Sequence, residues 1–442
     1  MRIAVVGAGY VGTVTATCLA WLGHDVAVLE EDAGRARQLG SGQLHLYEPG
    51  LPELLAETLA TGRLRFSSDP KEALLGAVLA FICVGTPPGA DGLPNLEQVE
   101  RAVVTLARHM DDGTVIVNKS TLPIGSANRV RALIEERMLD DLPSFSVMSN
   151  PEFLREGQAV GDFLRPDRVV LGGELPAVDR ALEVYRPILD QSFPGGRPER
   201  RPALFLTDLA SAEMVKYAAN AFLAVKISFA NEIANLSEML GADVRSVLPA
   251  IGADRRIGAE FLGSGLGWGG SCLPKDVTAL VAMGRAHGYA SPLLEAARQV
   301  NEDRRSLVVR KLQRELKVLT RRRIGILGLT FKAGTDDLRA SPAVDLAARL
   351  SEAGAVVAAY DPMVKDAPPA LPVRLATDPY EAAERADAVV VATGWPEFAH
   401  LDLTALAGRM RGRLVLDTRN VLPPDRFEGT GLRLSGLGWD EP

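Results

Sequence analysis

Cysteine is scarce in this chain, with three in 442 residues and no paired spacing. That excludes a disulfide framework and a structural zinc site. The five histidines stand apart and add no ligand pattern, so no metal is expected. No apolar run reaches the roughly 20 residues that cross a bilayer. The short one after Arg2 is interrupted at Gly7, Gly9 and Gly12, and an apolar strand follows, which argues against a signal peptide. Blocks of one charge are also missing. Net charge is −7, and the densest basic cluster, Arg321-Arg322-Arg323, precedes an apolar strand and reads as a solvated boundary. Neither nucleic acid nor a membrane is an expected partner, and the expected location is cytoplasmic.

The chain is long enough for about three domains, each with its own core. Hydrophobic content of 47% with 24% charged residues is that of an ordinary globular protein. An apolar strand, Arg2 to Val6, leads into Gly7-Ala8-Gly9-Tyr10-Val11-Gly12, which opens a helix running to about Leu22. A second strand, Asp25 to Leu29, ends at Glu30. Glycines at this spacing allow a tight turn, approach of a pyrophosphate to the backbone and close helix–strand packing. The phosphates would sit on the helix N-terminus and Glu30 would accept from the ribose hydroxyls. A carboxylate there repels a 2′-phosphate, which favours NAD over NADP, although Arg35 and Arg37 lie close by.

Further strands are read at Val78 to Val84, Thr114 to Asn118 and Phe145 to Met148. They run into Gly85-Thr86-Pro87-Pro88, Lys119-Ser120-Thr121-Leu122-Pro123 and Asn150-Pro151-Glu152-Phe153-Leu154-Arg155-Glu156, the loops where open α/β sheets bind ligands. Glu152 and Glu156 share one face if that segment is helical. From Asp208 to Leu240 no Pro or Gly occurs, and apolar residues recur at helical spacing. This predicts a helix of about 50 Å, a spine able to bury one face against a second subunit. Lys216 and Asn220 fall on one face of it. A snorkelling lysine beside an exposed amide fits this helix equally well.

The last third repeats the first. Strand Arg323 to Leu327 leads to Gly328-Leu329-Thr330-Phe331-Lys332. Ser341 and Pro342 then open a helix that Gly354 closes, and strand Ala355 to Tyr360 ends at Asp361. Strands at Ala388 to Thr393 and Leu414 to Thr418 complete the echo. The predicted fold is α/β, with two doubly wound Rossmann-like domains joined by a long-helix connector. The expected boundaries are 1–205, 206–310 and 311–442. The second half lacks the Gly-x-Gly-x-x-Gly spacing, so a different ligand is expected there, held by side chains such as Lys332 and Arg419.

One stretch ties these parts to chemistry: Gly265-Leu-Gly-Trp-Gly-Gly-Ser-Cys272-Leu-Pro-Lys275-Asp276. A thiol becomes a thiolate beside a cation or a helix N-terminus. Lys275 offers the first and Pro274, at a helix start, the second. Cys272 is therefore the candidate nucleophile.

With these pieces in order, the chain resembles the nucleotide-sugar 6-dehydrogenase family over nearly its whole length. The matching motifs are Gly7 to Gly12, Tyr47-Glu48-Pro49-Gly50, Gly85-Thr86-Pro87, Ser120-Thr121 and Asn150 to Glu156. The helix around Lys216 and Asn220 follows, then Arg256-Ile257-Gly258, Gly269 to Asp276, and Phe331-Lys332 with Thr335-Asp336-Asp337. The resemblance implies a four-electron oxidation of a sugar primary alcohol to a carboxylate with two NAD⁺. Cys272 would form a thiohemiacetal and then a thioester. Lys216 would stabilise the oxyanion with Asn220 beside it, Asp276 and Thr121 would hold a water, and Glu156 would act in acid–base steps. It further implies Gly7, Gly9, Tyr10, Val11, Gly12, Glu30, Arg35, Gly85, Thr86, Thr121, Glu156 and Lys275 around the cofactor. For the substrate it implies Glu152, Phe153, Leu154, Lys216, Asn220, Phe261, Gly265, Gly269 and Phe331, with Lys332 and Arg419 on the diphosphate. Arg256 would reach the substrate from the neighbouring subunit of a homodimer built on the long helix. Asp254 to Gly258 favours the UDP-glucose branch, whereas Leu273 also occurs in GDP-mannose relatives. A nucleotide-sugar-binding protein without activity is the reading of a different class, and the intact Cys272, Lys216 and Asp276 argue against it.

Overall fold

The computed structural model describes residues 1–137, 143–366 and 371–439. It divides into two compact units, Met1–Ala219 and Asn220–Pro442.

The first unit is built on an eight-stranded sheet: β1 (Arg2–Val6), β2 (Asp25–Leu29), β3 (Leu64–Ser67), β4 (Leu79–Ile82), β5 (Thr114–Asn118), β6 (Phe145–Ser149), β7 (Arg168–Gly172) and β8 (Ala203–Thr207). Their order is β3-β2-β1-β4-β5-β6-β7-β8. All neighbours run parallel except β6 and β7, which meet antiparallel at Ser149 and Gly172. Ile3 and Val5 belong to one buried cluster and Ala4 and Val6 to another, so β1 is covered on both faces. That is the condition of a parallel sheet wrapped by crossover helices. Chain order reverses between β1 and β4, which places the ligand crevice at the ends of those strands.

The second unit carries a six-stranded, all-parallel sheet: β9 (Arg323–Leu327), β10 (Val356–Tyr360), β11 (Arg374–Leu375), β12 (Ala388–Val391), β13 (Leu414–Asp417) and β14 (Arg433–Gly436). The order β11-β10-β9-β12-β13-β14 repeats that of β3 to β6. The internal echo read from the sequence is thus a duplicated topology, and the two doubly wound sheets are as expected. Ser341 caps the helix Pro342–Glu352 by accepting from Ala343 N–H at 3.2 Å. Gly354 turns the chain with φ +81°.

The predicted spine is the helix Leu209–Leu240, 32 residues long. Five strands escaped the sequence reading. β3, β11 and β14 are four residues or fewer, and β8 alternates no polar face, since Leu204, Phe205 and Leu206 are all exposed. β7 reads as a short apolar run that periodicity alone does not distinguish from a helix segment.

Candidate active site

In the first unit β1 ends in the cradle that the glycine spacing predicts. A Cβ at Gly12 would lie 1.9 Å from the Gly7 carbonyl oxygen, so only glycine lets the helix Tyr10–Trp21 start this close to the turn. Above Gly9 nothing lies within 4 Å of where a Cβ would stand, leaving the backbone approachable. Tyr10, Val11 and Gly12 form the first turn, and the N-cap residue Gly9 has no side chain to cap their N–H groups. This is the donor set a pyrophosphate needs. Glu30 is buried at the end of β2 and accepts from the N–H groups of Ala8 and Asp32, both at 3.1 Å. Each of its oxygens keeps a further lone pair for a ribose hydroxyl. Arg35 lies 3.7 Å from Glu30 and turns its charge to that carboxylate. Gly85 and Thr86 follow β4, the strand next to β1, with Gly85 N–H held by Gln98. The residues present fit NAD.

Beside the cradle lies an ion pair. Glu152 and Lys216 are both buried, and their charged atoms are 2.9 Å apart. Burial alone would push the Glu152 carboxyl up. The Lys216 charge, its hydrogen bond, the Leu154 N–H and Lys119 together outweigh burial and hold it below the usual carboxylate range. Pro151 to Arg155 forms no helix, so Glu152 and Glu156 do not share a helix face. Pro151 starts the departure by denying the α region to Asn150. Phe153 has Arg168 stacked on its ring at 3.8 Å, with Lys216 at 5.6 Å. Thr121 lines a small pocket with Asn118, Lys119, Glu213 and Lys216. Among the described residues the buried amide of Asn118 has no partner at either atom, which suits a bound water.

Lys119 has no role in the sequence reading, although a lysine directly after a buried strand was the visible signal. It is 4% exposed and donates to Asn150 Oδ1 at 3.0 Å. Burial lowers it from 10.5 to about 8, assisted by Lys216 and opposed by Cys83 and Glu152. Between pH 8 and 10.5 the folded chain thus binds fewer protons at this site than the unfolded chain. Stability should rise with pH across that window and be least below it. Urea unfolding at both ends of the window should show this group contributing about 3 kcal/mol, and Lys119→Met should flatten the rise. An unchanged rise in the variant would assign it to other groups.

In the second unit Cys272 occupies the N-cap position of the helix Leu273–Ala286, with Pro274 in its first turn. It is partly exposed, whereas Cys18 and Cys83 are buried. Burial pushes the Cys83 thiol up to about 12 and raises that of Cys18 as well, leaving both inert. Ser271 Oγ lies 3.6 Å from the Cys272 sulfur. One turn on, Asp276 is 1% exposed and gripped from both sides. Asn220 donates to one carboxylate oxygen at 2.6 Å, and the Lys275 ammonium lies 2.6 Å from the other. The Lys275 cation is paired with Asp276, and Cys272 stands at the helix N-terminus.

The loop before Cys272 is pinned by side chains that the sequence reading passed over. Gly265 donates to Asn231 at 2.7 Å and accepts from Arg304 at 2.8 Å. Asn301 bonds both backbone groups of Trp268. Gly267 has φ +109°, and a Cβ there would meet Asn301 at 2.2 Å. Gly269 packs on Ala340, and the Phe331 ring lies under Gly270. Phe261 has φ +60°, an outlier for a bulky residue of the kind found at binding loops. Lys332 lies beyond β9, its ammonium 5.7 Å from the Phe331 ring. Arg419 follows β13, against Gly265, and donates to Ala392 O at 2.7 Å. Its Nη2 is buried and has no partner among the described residues. Arg256 is 88% exposed and paired with Asp254.

The cradle defines a dinucleotide-binding protein. The chain matches three profiles of the UDP-glucose/GDP-mannose dehydrogenase family: the NAD binding domain over residues 1–189, the central domain over 210–303 and the UDP binding domain over 325–424. It belongs to that family. It is 43% identical to UDP-glucose 6-dehydrogenase of Rhizobium meliloti over 446 residues, 99% of both chains. A solved UDP-glucose dehydrogenase from the archaeon Pyrobaculum islandicum is 38% identical with a TM-score of 0.90, covering 99% of this chain and 98% of that one. A UDP-D-ManNAc dehydrogenase from Pyrococcus horikoshii is 30% identical with a TM-score of 0.85, covering 99% of each. The chain is thus an NAD-dependent dehydrogenase acting on a nucleotide sugar. No helix among the described residues is long and apolar enough to cross a membrane.

Proposed function

We propose that this enzyme oxidises the C6 primary alcohol of UDP-glucose to the carboxylate, with Cys272 as covalent nucleophile. The observation that carries the mechanism is Cys272 itself, the one partly exposed cysteine, at a helix N-terminus one turn before the doubly held Asp276. The cofactor, when bound, supplies the hydride acceptor for each oxidation, two NAD⁺ per sugar. A water of the kind that the family resemblance assigns to Asp276 and Thr121 takes the hydroxyl proton as the alcohol becomes an aldehyde. The Cys272 sulfur adds to that aldehyde, forming a C–S bond, and Lys216 and Asn220 stabilise the oxygen that turns anionic. Oxidation of this thiohemiacetal leaves a thioester. Water then adds, the C–S bond breaks, and Glu156 moves the protons that release the acid and restore the thiol. Glu152 holds the Lys216 ammonium in place.

UDP-glucose is favoured as substrate by the 43% and 38% identical relatives that carry that name, and by Asp254 to Gly258. The 30% identical UDP-D-ManNAc dehydrogenase makes another UDP-sugar the second reading, and GDP-mannose is the third. NADH release against a panel of UDP- and GDP-sugars should be fastest with UDP-glucose. Faster turnover of GDP-mannose would keep the chemistry and move the branch.

A homodimer and a cytoplasmic location belong to the same proposal, as do three domains at 1–205, 206–310 and 311–442. Phe222, Phe229 and Leu236 recur every seven residues on the helix Leu209–Leu240 and are 66%, 46% and 43% exposed. Such a stripe is ordinarily covered by a partner. A reducing compartment keeps the Cys272 thiol reduced. Mixing Arg256→Ala with Cys272→Ala protein should restore activity, because a heterodimer contains one complete site. No recovery despite demonstrated subunit exchange would place Arg256 in its own chain's site.

A further inference from the structure

The stretch Tyr47-Glu48-Pro49-Gly50 has no part in the chemistry above, yet it holds a buried carboxylate. Glu48 is 2% exposed. One oxygen accepts the Gly157 N–H at 2.7 Å and the Tyr10 hydroxyl, and the other accepts the Ala159 N–H at 2.7 Å. Tyr10 opens the helix of the dinucleotide cradle, and Gly157 follows Glu156 directly. The Tyr10 hydroxyl also accepts from Gly157 N–H at 3.1 Å. Burial, then Glu48 itself, pushes the Tyr10 pKa up, so the hydroxyl stays protonated and donates to Glu48. The charge of Glu156 adds to that rise. Glu48 is itself anchored at the head of the helix Leu51–Ala60, whose Leu51 and Leu55 are fully buried.

We propose that Glu48 is a positioning residue, which fastens the Glu156-bearing turn to the first turn of the dinucleotide-binding helix and so aims Glu156 for thioester hydrolysis. Two elements 147 residues apart in sequence are joined through one side chain. Charge-assisted bonds to main-chain N–H groups are the strong kind and fix direction as well as distance. Glutamine at this position keeps the shape but turns an N–H₂ toward groups that are themselves donors.

The proposal rests on the role given to Glu156, so the test includes both residues. Glu48→Gln, with kcat expressed per folded, NAD-binding molecule, should lose about 10- to 100-fold, the scale of a misplacement near 1 Å. KM for the sugar nucleotide should stay within about twofold, since ground-state binding is untouched. A sugar adduct on Cys272 should build up in the intact mass, as it should in Glu156→Gln. The double variant should be no slower than Glu156→Gln alone. Glu48→Asp, which keeps the charge but shortens the reach, should show the same pattern more weakly and serves if the glutamine variant folds poorly. Unchanged kcat per folded molecule in both Glu48 variants would reduce Glu48 to a stability role and overturn the proposal. So would losses that multiply in the double variant. Full activity in Glu156→Gln would instead remove Glu156 from the mechanism and the positioning role with it.

Discussion

Cys272→Ala protein is expected to bind NAD⁺ and the nucleotide sugar, and to make no acid. In the proposed mechanism the thiol enters only after the first oxidation, so any turnover should stop at one NADH per sugar, with aldehyde or its hydrate as product. The loss of acid should exceed about 10³-fold, because no other residue replaces a covalent nucleophile. Cys18 and Cys83 are too buried to substitute. Product analysis alongside NADH counting makes the test decisive. A variant that still yields two NADH and the acid would end the covalent mechanism. Asp276→Asn extends the test, since it removes the charge that Asn220 and Lys275 hold in place. Its expected loss is about 10²–10⁴ in kcat.

Lys216→Met should hurt both stability and rate, by separable routes. It leaves Glu152 buried at 7% exposure with the Leu154 N–H at 2.6 Å and no ammonium beside it. Removing one partner of a buried pair costs about 3–5 kcal/mol. The oxyanion loses its cation as well, an effect of about 10²–10³ in kcat. The stability defect should depend on pH. Without Lys216 the strongest influence holding the Glu152 carboxyl down is gone, and burial pushes it above its unfolded value. A raised carboxyl favours the fold when protonated, so the defect should shrink as pH falls toward 5 and grow as pH rises toward 8. Adding Glu152→Gln should restore much of the stability and none of the rate. Recovery of both would show that Lys216 matters to catalysis only through folding.

What the residues in sequence determine here is what local physics decides. The strand, glycine turn, helix and acid of the cradle lie within Arg2 to Glu30, so spacing alone specifies a βαβ unit and its ligand class. The helix Leu273–Ala286 was legible because Pro274 and the polar start after Cys272 are themselves the initiation signal. The echo of the first third in the last was legible because short apolar strands there again run into a glycine-bearing loop, a capped helix and a strand that ends in an acid. Tertiary structure decided the partners. Glu152 was placed on one face with Glu156 only if the segment were helical, and its charge is met by Lys216, 64 residues away. Lys275 was assigned to the thiol, and its ammonium lies 2.6 Å from Asp276. Glu48 reaches Gly157 across 109 residues, and Arg304 reaches Gly265 across 39. Side-chain pattern reports which face of an element is apolar, not which distant charge will be buried opposite it. A buried charge takes whichever partner the packing of apolar surfaces has already brought within 3 Å, and that packing is a property of the whole fold.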